Sequence, residues 1–311
     1  MRIATFNVQN MRLRHEDGHA HLDGARDRDA PADTMPGAER LDPIDRRLTA
    51  AVLRDVDADV IALQEVFDSE TLDHFHENYL RPTGTAAYPW RHCLPGNDGA
   101  GLNVALMSRR PVDELASHAA LRPSDLGLEV PPGIDPDLPV FRRDCLMAVI
   151  GGLTLWICHF KAPSPDPQAA WPVRRLEALA VRRLIERRYT APARALWLII
   201  GDLNESLPAG EAGEQAIAPL KGGFSIDLLE RLPQEKRWTY HDTRSGRYTR
   251  PDAMLASPTL ATRWPQARPW LVREGLGHES ARYRGPRLAG VGTHRPHASD
   301  HAALAIDLEG L

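Results

Sequence analysis

The sequence contains few cysteines and no long apolar run. Cys93, Cys145 and Cys158 are too few and too scattered along 311 residues to form a disulfide framework. Cys145 and Cys158 lie inside apolar runs, which predicts buried core thiols. No run approaches the roughly 18 apolar residues that span a bilayer. The charged Arg2 at the start of an apolar strand argues against a signal peptide. We therefore expect a cytoplasmic protein with no transmembrane segment.

The sequence also lacks a strong excess of either charge. Its 38 Lys and Arg residues and 42 Asp and Glu residues give a formal net charge of −4. This balance excludes a global attraction to nucleic acid, although a local basic groove would not show in the sum. A hydrophobic content of 42% and a charged content of 26% are typical of a globular protein.

Apolar periodicity predicts an alternation of short strands and helices. The predicted strands are 2–8, 60–66, 102–107, 145–150, 153–160, 195–200, 252–256 and 302–308. Residues 41–56 and 168–189 show the helical period, and the second stretch carries a row of arginines that we expect on its solvated face. Residues near 10–40, 123–139 and 264–296 lack periodicity and are predicted to be long loops.

Polar residues stand at the ends of predicted strands in five places. The clusters are Thr5-Phe6-Asn7, Leu63-Gln64-Glu65, Cys158-His159-Phe160, Gly201-Asp202-Leu203-Asn204 and Ala298-Ser299-Asp300-His301. Carboxylate and amide oxygens suit a hard divalent cation, and histidines beside them suit a phosphate group. One such cluster would mean little. Five clusters spread from the first strand to the last predict one site, and with it a single domain over residues 1–311.

Each of these residues also has a simpler explanation when it is taken alone. Asn7 would more often be a turn asparagine, and His159 a hydrogen-bonded core histidine. Asp202 and Asn204 would form an Asx turn. Glu65 is the strongest candidate for a metal ligand, because a carboxylate beside an apolar strand is costly to bury without a cation.

The histidine at position 301 needs a partner that fixes its tautomer and stabilises its charged form. Asp252, which opens the predicted strand 252–256, is the candidate. The residues alone support equally that Asp252 pairs with His301 and that it does not. Asp300 faces the opposite way along its strand, which places it on the metal side.

Together these motifs resemble the endonuclease/exonuclease/phosphatase superfamily of DNase I-like, metal-dependent phosphoesterases. The matching pieces are Thr5-Phe6-Asn7, Leu63-Gln64-Glu65-Val66, His159-Phe160-Lys161, Gly201-Asp202-Leu203-Asn204, Asp252 and Ser299-Asp300-His301. They occur in the family's order and span nearly the whole chain. The resemblance implies an α/β fold, a four-layered α/β sandwich in which two mixed β-sheets pack face to face with flanking helices.

The resemblance also implies a cofactor and the residues that hold it. Members of the superfamily hydrolyse phosphodiester or phosphomonoester bonds with Mg²⁺ or a similar ion, so that Mn²⁺ and Ca²⁺ are alternatives. Glu65 would bind the metal with help from Asn7, and Asp300 would lie beside them. Asp202 would position or activate the attacking water.

The phosphate group would be held by the remaining matched residues. Asn204 would bind it, and His159 and His301 would stabilise charge that develops on its oxygens. Asp252 would orient His301. The family leaves open whether a histidine or the aspartate is the general base.

Two departures from the family pattern concern Asp252 and the metal count. Pro251 and Ala253 flank Asp252, where the family more often has an aliphatic residue and an aromatic one, which makes Asp252 the least secure assignment. Gln9 stands two residues after Asn7, where some branches carry an acidic residue of the metal shell. The resemblance therefore leaves one or two metals open.

Two further residues are candidates for substrate binding. Arg143 precedes the predicted strand 145–150 and could bind a phosphate, although a solvated charge at a strand edge explains it equally well. Asn103 follows Gly101-Leu102 and could face the cleft.

The substrate class is open between three alternatives. The motifs favour DNase-like and phosphatase-like members over abasic-site repair enzymes, which typically differ at the positions of Val66 and His159. The stretch 263–295 carries seven arginines, which could follow a polyanionic backbone or form a solvated loop. We expect a nuclease acting on nucleic acid. The alternative is a phosphatase or a sphingomyelinase-like lipid phosphodiesterase acting on a small phosphoester.

A lipid enzyme should expose an apolar or aromatic loop. None is obvious in the sequence, although Trp264 and Trp270 in the last predicted loop are candidates. A catalytically silent scaffold is disfavoured, because none of the matched site residues is lost. The oligomeric state is left open by the sequence.

Overall fold

The computed structural model describes residues 1–27, 30–205 and 214–311. Within these residues the strands are β1 (Arg2–Met11), β2 (Leu13–Glu16), β3 (His19–Leu22), β4 (Val60–Val66), β5 (Trp90–Cys93), β6 (Asn103–Ser108), β7 (Glu114–Ala116), β8 (Cys145–Ile150), β9 (Leu153–His159), β10 (Trp197–Asp202), β11 (Ile226–Asp227), β12 (Tyr240–Asp242), β13 (Arg247–Thr249), β14 (Asp252–Ala256), β15 (Trp270–Val272) and β16 (Ala303–Asp307). The helices are α1 (Pro31–Thr34), α2 (Asp42–Val56), α3 (Ser69–Phe75), α4 (Pro167–Arg188) and α5 (Pro258–Arg263). No helix in these ranges is long and apolar enough to cross a membrane.

Two six-stranded sheets form the centre of the molecule. The first has the strand order β15-β16-β1-β4-β6-β5, and the second has the order β11-β14-β10-β9-β8-β7. Strand β1 runs parallel to β4, and β9 runs parallel to β10, whereas the other neighbours in both sheets are antiparallel. Both sheets are therefore mixed.

The two sheets pack face to face through buried aliphatic side chains. Ile3 and Leu106 of the first sheet join Leu155 and Leu198 of the second in one apolar cluster. Alternate residues of the first sheet pack outward against α2 and α3, and those of the second pack against α4. This arrangement follows from the period-2 alternation of strand side chains. The expected four-layered α/β sandwich is confirmed.

Three of the strand predictions match the structure at both ends. Strands β4, β8 and β14 have the predicted bounds. Strand β1 continues to Met11 because its backbone turns left-handed at Gln9 and Asn10, with φ of 52° and 55°, and then resumes pairing with β4. This bulge interrupts the apolar pattern on which the prediction rested.

The expectation of a long irregular loop near 10–40 is wrong. This stretch contains the end of β1, the β2–β3 hairpin and α1. The buried Arg46 of α2 holds it in place by donating hydrogen bonds to the carbonyl oxygens of Val8, Gln9 and Asp23 at 2.6–2.7 Å. The polar composition of residues 10–40 suggested a loop, because the buried arginine that binds this stretch lies on another element.

The expectations for the other two loops have different outcomes. Residues 123–139 contain only a short 3₁₀ turn at Ser124–Leu126, as predicted. Residues 264–296 contain the edge strand β15, and two of their arginines form hydrogen bonds or ion pairs within the protein. Arg273 donates to the carbonyl oxygens of Lys236 and Trp238. Arg295 is buried in ion pairs with Asp42, at 2.8 Å, and with Asp45.

Replacing Arg295 with Met should destabilise the protein by about 3–5 kcal/mol, because it leaves the buried carboxylate of Asp45 without its contacting cation. Burial already raises the pKa of Asp45 against the opposing effect of Arg295. Urea unfolding measures the change. Arg284→Met, at an exposed position of the same stretch, is the control and should stay within about 0.5 kcal/mol of the parent protein. An equal, small effect of both substitutions would contradict a structural role for Arg295.

His294 should make stability depend on pH in the alkaline range. Its hydrogen bonds to Asp33 (3.1 Å) and Glu279 (2.8 Å) raise the pKa of His294 to about 9. A raised folded-state pKa stabilises the fold fully below the unfolded-state value of about 6.5, and this contribution is lost as the pH rises through about 9. We expect His294→Gln to lower the urea midpoint at pH 6 and to have little effect at pH 10. A difference that grows with pH would disprove this assignment.

Candidate active site

The polar strand ends of the first sheet meet at one edge of the sandwich. Asn7 lies on β1 and Glu65 on the neighbouring parallel strand β4, where Asn7 is in register with Gln64. Glu65 adopts a left-handed backbone (φ 67°) at a bulge between Gln64 and Val66. The bulge turns its carboxylate toward β1, where Oε2 accepts a hydrogen bond of 2.8 Å from the backbone N–H of Asn10.

The second sheet brings three site residues together by strand pairing alone. Asp202 at the end of β10 is in register with His159 on β9 and with Asp252 on β14. The preceding Gly201 has φ of +130°. A Cβ at that position would lie 2.1 Å from the carbonyl oxygen of Cys158. Glycine therefore allows β10 to approach β9 closely where the site residues begin.

The Asn7 side chain joins the two sheets. Its Nδ2 donates to Glu65 Oε1 at 3.1 Å and to Asp202 Oδ2 at 3.1 Å. Its Oδ1 accepts from the backbone N–H of Gln9 at 3.0 Å. In this arrangement Asn7 is a donor to two carboxylates, and its expected role as a metal ligand stays a prediction.

The expected pairing of His301 with Asp252 is present. His301 Nδ1 lies 2.8 Å from Asp252 Oδ2, and His301 Nε2 lies 3.9 Å from Asp202 Oδ2. Although burial lowers it, the adjoining carboxylates, Asp252 foremost, raise the pKa of His301 well above its ordinary value. These carboxylates therefore favour the charged form of the ring, whose Nε2 faces Asp202.

The surroundings of His159 favour the neutral form of its ring instead. Its Nε2 lies 3.9 Å from Glu65 Oε1 and 3.8 Å from Asp202 Oδ2. Complete burial, with a smaller effect of Arg143, holds the pKa of His159 well below its ordinary value despite these carboxylates. Its Nδ1 contacts the carbonyl oxygen of Leu102 at 3.3 Å, which requires a proton on Nδ1. Donation from Nε2 to a phosphate, as the resemblance implies, therefore requires prior protonation of the ring.

Asp300 and Glu65 line the same cleft of about 570 Å³. Burial and the nearby Glu65 raise the pKa of Asp300 to about 6, against the opposing effect of His301. Burial and Asp252 likewise raise the pKa of Asp202 to about 7. Three acidic groups thus share a poorly solvated space, where a cation would relieve their desolvation and repulsion.

The chemistry of the donor set fits a hard divalent cation. Glu65 and Asp300 offer carboxylate oxygens, which Mg²⁺ prefers and which Mn²⁺ and Ca²⁺ also accept. A second group consists of Asp202, Asp252 and His301, whose ligand atoms lie within 4.8 Å of one another. Because His301 Nδ1 is already hydrogen-bonded to Asp252, we consider the carboxylates of Glu65 and Asp300 the better cation site.

The three remaining predicted residues hold loops beside the site. Asn204 Nδ2 donates to the carbonyl oxygen of Phe160 at 2.9 Å, and Arg143 Nη1 donates to the same oxygen at 3.0 Å. Asn103 Nδ2 donates to the carbonyl oxygen of Phe67, and its Oδ1 accepts from the N–H of Gly96. Contacts of these three residues with substrate stay predictions.

Several residues that the sequence analysis did not select also line the cleft. Gln9 Oε1 accepts hydrogen bonds from the backbone N–H of Asp300 at 3.0 Å and from His297 Nε2 at 2.9 Å. The Tyr240 ring packs 4.9 Å from that of His301. Trp171 and Arg174 of α4 form another wall. The sequence analysis noted Gln9 only as a departure from the family pattern, and the neighbourhoods of Tyr240, Trp171 and Arg174 carry no motif, so only the fold places these residues at the cleft.

Comparisons with known proteins agree with this geometry. A model described as the endonuclease/exonuclease/phosphatase family matches residues 4–301. Among solved structures, truncated TDP2 from Caenorhabditis elegans is 16% identical with a TM-score of 0.55, covering 98% of this chain and 95% of that chain. A mannosyl-6-phosphatase from Bacteroides thetaiotaomicron VPI-5482 is 14% identical with a TM-score of 0.56, covering 99% and 98%. An AP endonuclease from Archaeoglobus fulgidus is 15% identical with a TM-score of 0.55, covering 99% of both chains. No curated protein matches significantly. At these identities the structural likeness establishes the fold.

Gly201→Ala should cost about 3–5 kcal/mol, because the added methyl group meets the carbonyl of Cys158 and the backbone lies in a region that favours glycine. Gly222→Ala is the matched control, since its φ is also positive (63°) but a Cβ there meets nothing within 4 Å. We expect the control to lose only about 1 kcal/mol. Thermal or urea unfolding distinguishes the two, and equal losses would show that the approach of β9 and β10 is not tight.

Proposed function

Because this chain belongs to the endonuclease/exonuclease/phosphatase family, whose members are phosphoesterases, we propose that it hydrolyses phosphodiester bonds with Mg²⁺ as a nuclease of the DNase I-like type. The observation that carries the proposal is the Asn7 bridge, which brings Glu65 of one sheet to Asp202 of the other. We further propose that residues 1–311 act as one domain, since both sheets contribute to this site.

The proposed reaction assigns a task to each side chain. Asp202 orients the attacking water and accepts its proton as the water oxygen bonds to phosphorus. His301, held in its charged form by Asp252, donates to a phosphate oxygen and stabilises the charge that develops as the bond to the leaving oxygen breaks. Glu65, Asp300 and Asn7 would hold the divalent cation, which when bound offsets charge on the phosphate oxygens.

The wall of the cleft supports a nucleic-acid substrate over a lipid. Arg174, Arg244, Arg247 and Trp171 line it together. Cationic and aromatic side chains in one groove suit a phosphate backbone and its bases. The lipid alternative gains no support from Trp264 and Trp270, because the former donates to the carbonyl oxygen of Glu309 and the latter packs beneath Arg2.

A phosphatase acting on a small phosphoester is the second candidate. The cleft volume of about 570 Å³ is within the usual range of sites for small molecules. A preference for p-nitrophenyl phosphate over bis-p-nitrophenyl phosphate and DNA would favour this alternative.

A panel of phosphoesters tests the proposal. We expect hydrolysis of DNA and of bis-p-nitrophenyl phosphate that EDTA abolishes and Mg²⁺ restores. DNA cleavage should weaken steeply with salt. Glu65→Ala and His301→Ala should each lower kcat/KM by about 100-fold or more. The controls Glu16→Ala and His19→Ala, at exposed positions, should retain activity. The proposal fails if the wild type hydrolyses no phosphoester, or if either site variant keeps full activity.

A further inference from the structure

Arg174 differs from the other arginines of α4. The side chains of Arg175, Arg182 and Arg188 are partly exposed and form ion pairs with Glu214, Glu186 and Glu114, respectively. Arg174 is only 3% exposed, and it lines the cleft that contains Glu65 and Asp300. The expectation that the arginines of this helix form a solvated face therefore fails at this position.

The Arg174 guanidinium lacks a counter-ion in contact. Its Nη1 donates to the carbonyl oxygen of Lys161 at 3.2 Å, and its Nε has no acceptor. Within the described residues no carboxylate oxygen lies within 4.0 Å of it. Glu177, one turn further along α4, is bonded instead to the backbone N–H groups of Arg142 and Lys161.

The nearby acidic residues only partly offset the cost of burying this charge. Burial lowers the pKa of Arg174, and Glu205, Glu177 and Asp202 oppose this shift without cancelling it. A buried cation without a contacting anion is costly to a fold. A buried cation in an active-site cleft is suited to bind an anion that arrives with the substrate.

We propose that Arg174 binds a phosphate oxygen of the substrate. The inference rests on the proposed function, since it names a further substrate-binding residue of that site. Arginine suits this task because its planar fork can present two N–H groups to one phosphate, which a lysine ammonium cannot do in the same geometry. The phosphate is either the one that reacts or its neighbour in a polynucleotide.

Binding of inorganic phosphate to Arg174→Met, Arg174→Lys and wild type, measured by calorimetry in the presence of Mg²⁺, tests the proposal without catalysis. We expect at least a tenfold loss of phosphate affinity in Arg174→Met and partial recovery in Arg174→Lys. The control Arg175→Met, the adjacent arginine paired with Glu214, should stay within twofold of wild type. The melting temperature of Arg174→Met should not fall, since an uncompensated buried charge is removed.

The kinetic measurements identify which phosphate is bound. If Arg174 contacts the reacting phosphate, Arg174→Met raises KM for both bis-p-nitrophenyl phosphate and an oligonucleotide. If it contacts the neighbouring phosphate, only the KM for the oligonucleotide rises. Wild-type phosphate affinity and unchanged KM values in both Arg174 variants would overturn the inference. A wild type that binds phosphate through Arg174 but hydrolyses no ester would instead refute the proposed function.

Discussion

The hydrogen bonds from one asparagine amide hold together the edge on which the site is built. Asn7 donates to Glu65 within its own sheet and to Asp202 in the facing sheet. Both acceptors are carboxylates, and the Asp202 side chain is almost fully buried. Bringing them together without donors would expose each to an uncompensated desolvation cost and to repulsion from the other. The Asn7 amide, a neutral donor with two N–H groups, therefore offsets part of this cost where the two sheets meet.

Backbone strain accumulates at the same edge. Four of the six non-glycine residues with positive φ in the described chain, Gln9, Asn10, Glu65 and Asn204, belong to the site or adjoin it. Such conformations cost about 1–3 kcal/mol each and persist only where the surroundings hold them. Here the surroundings are hydrogen bonds between the strained segments, such as that from Asn10 N–H to Glu65. The bulges also direct these side chains into the cleft, whereas a regular strand would point successive side chains to opposite faces.

The sequence predicted what depends on local apolar patterns and missed what depends on buried ionic partners. Strands β4, β8 and β14 were predicted to the residue, because each is a compact and largely apolar run. The pairing of Asp252 with His301 was anticipated from the need of a histidine for a partner, although its sequence context was atypical. The stretch near 10–40 was misassigned because Arg46 and Arg295, which bind Asp23 and Asp33 within it, lie elsewhere in the sequence. Arg174 was hidden among neighbouring arginines, since sequence spacing does not distinguish a buried member of a row from its solvated neighbours.

Charges in the cleft are arranged in two groups that suit opposite ligands. The carboxylates of Glu65 and Asp300 lie together, and Glu65 raises the pKa of Asp300, a repulsion that a bound cation would relieve. The carboxylates around His301 favour its charged form, and Arg174 is a buried cation without a contacting anion. A metal ion alone would satisfy the first group and leave Arg174 without a contacting anion. A phosphate alone would satisfy the second and repel the first. A metal ion and a phosphate ester together compensate both, so the buried charges of this protein are balanced best when the complex for hydrolysis is formed.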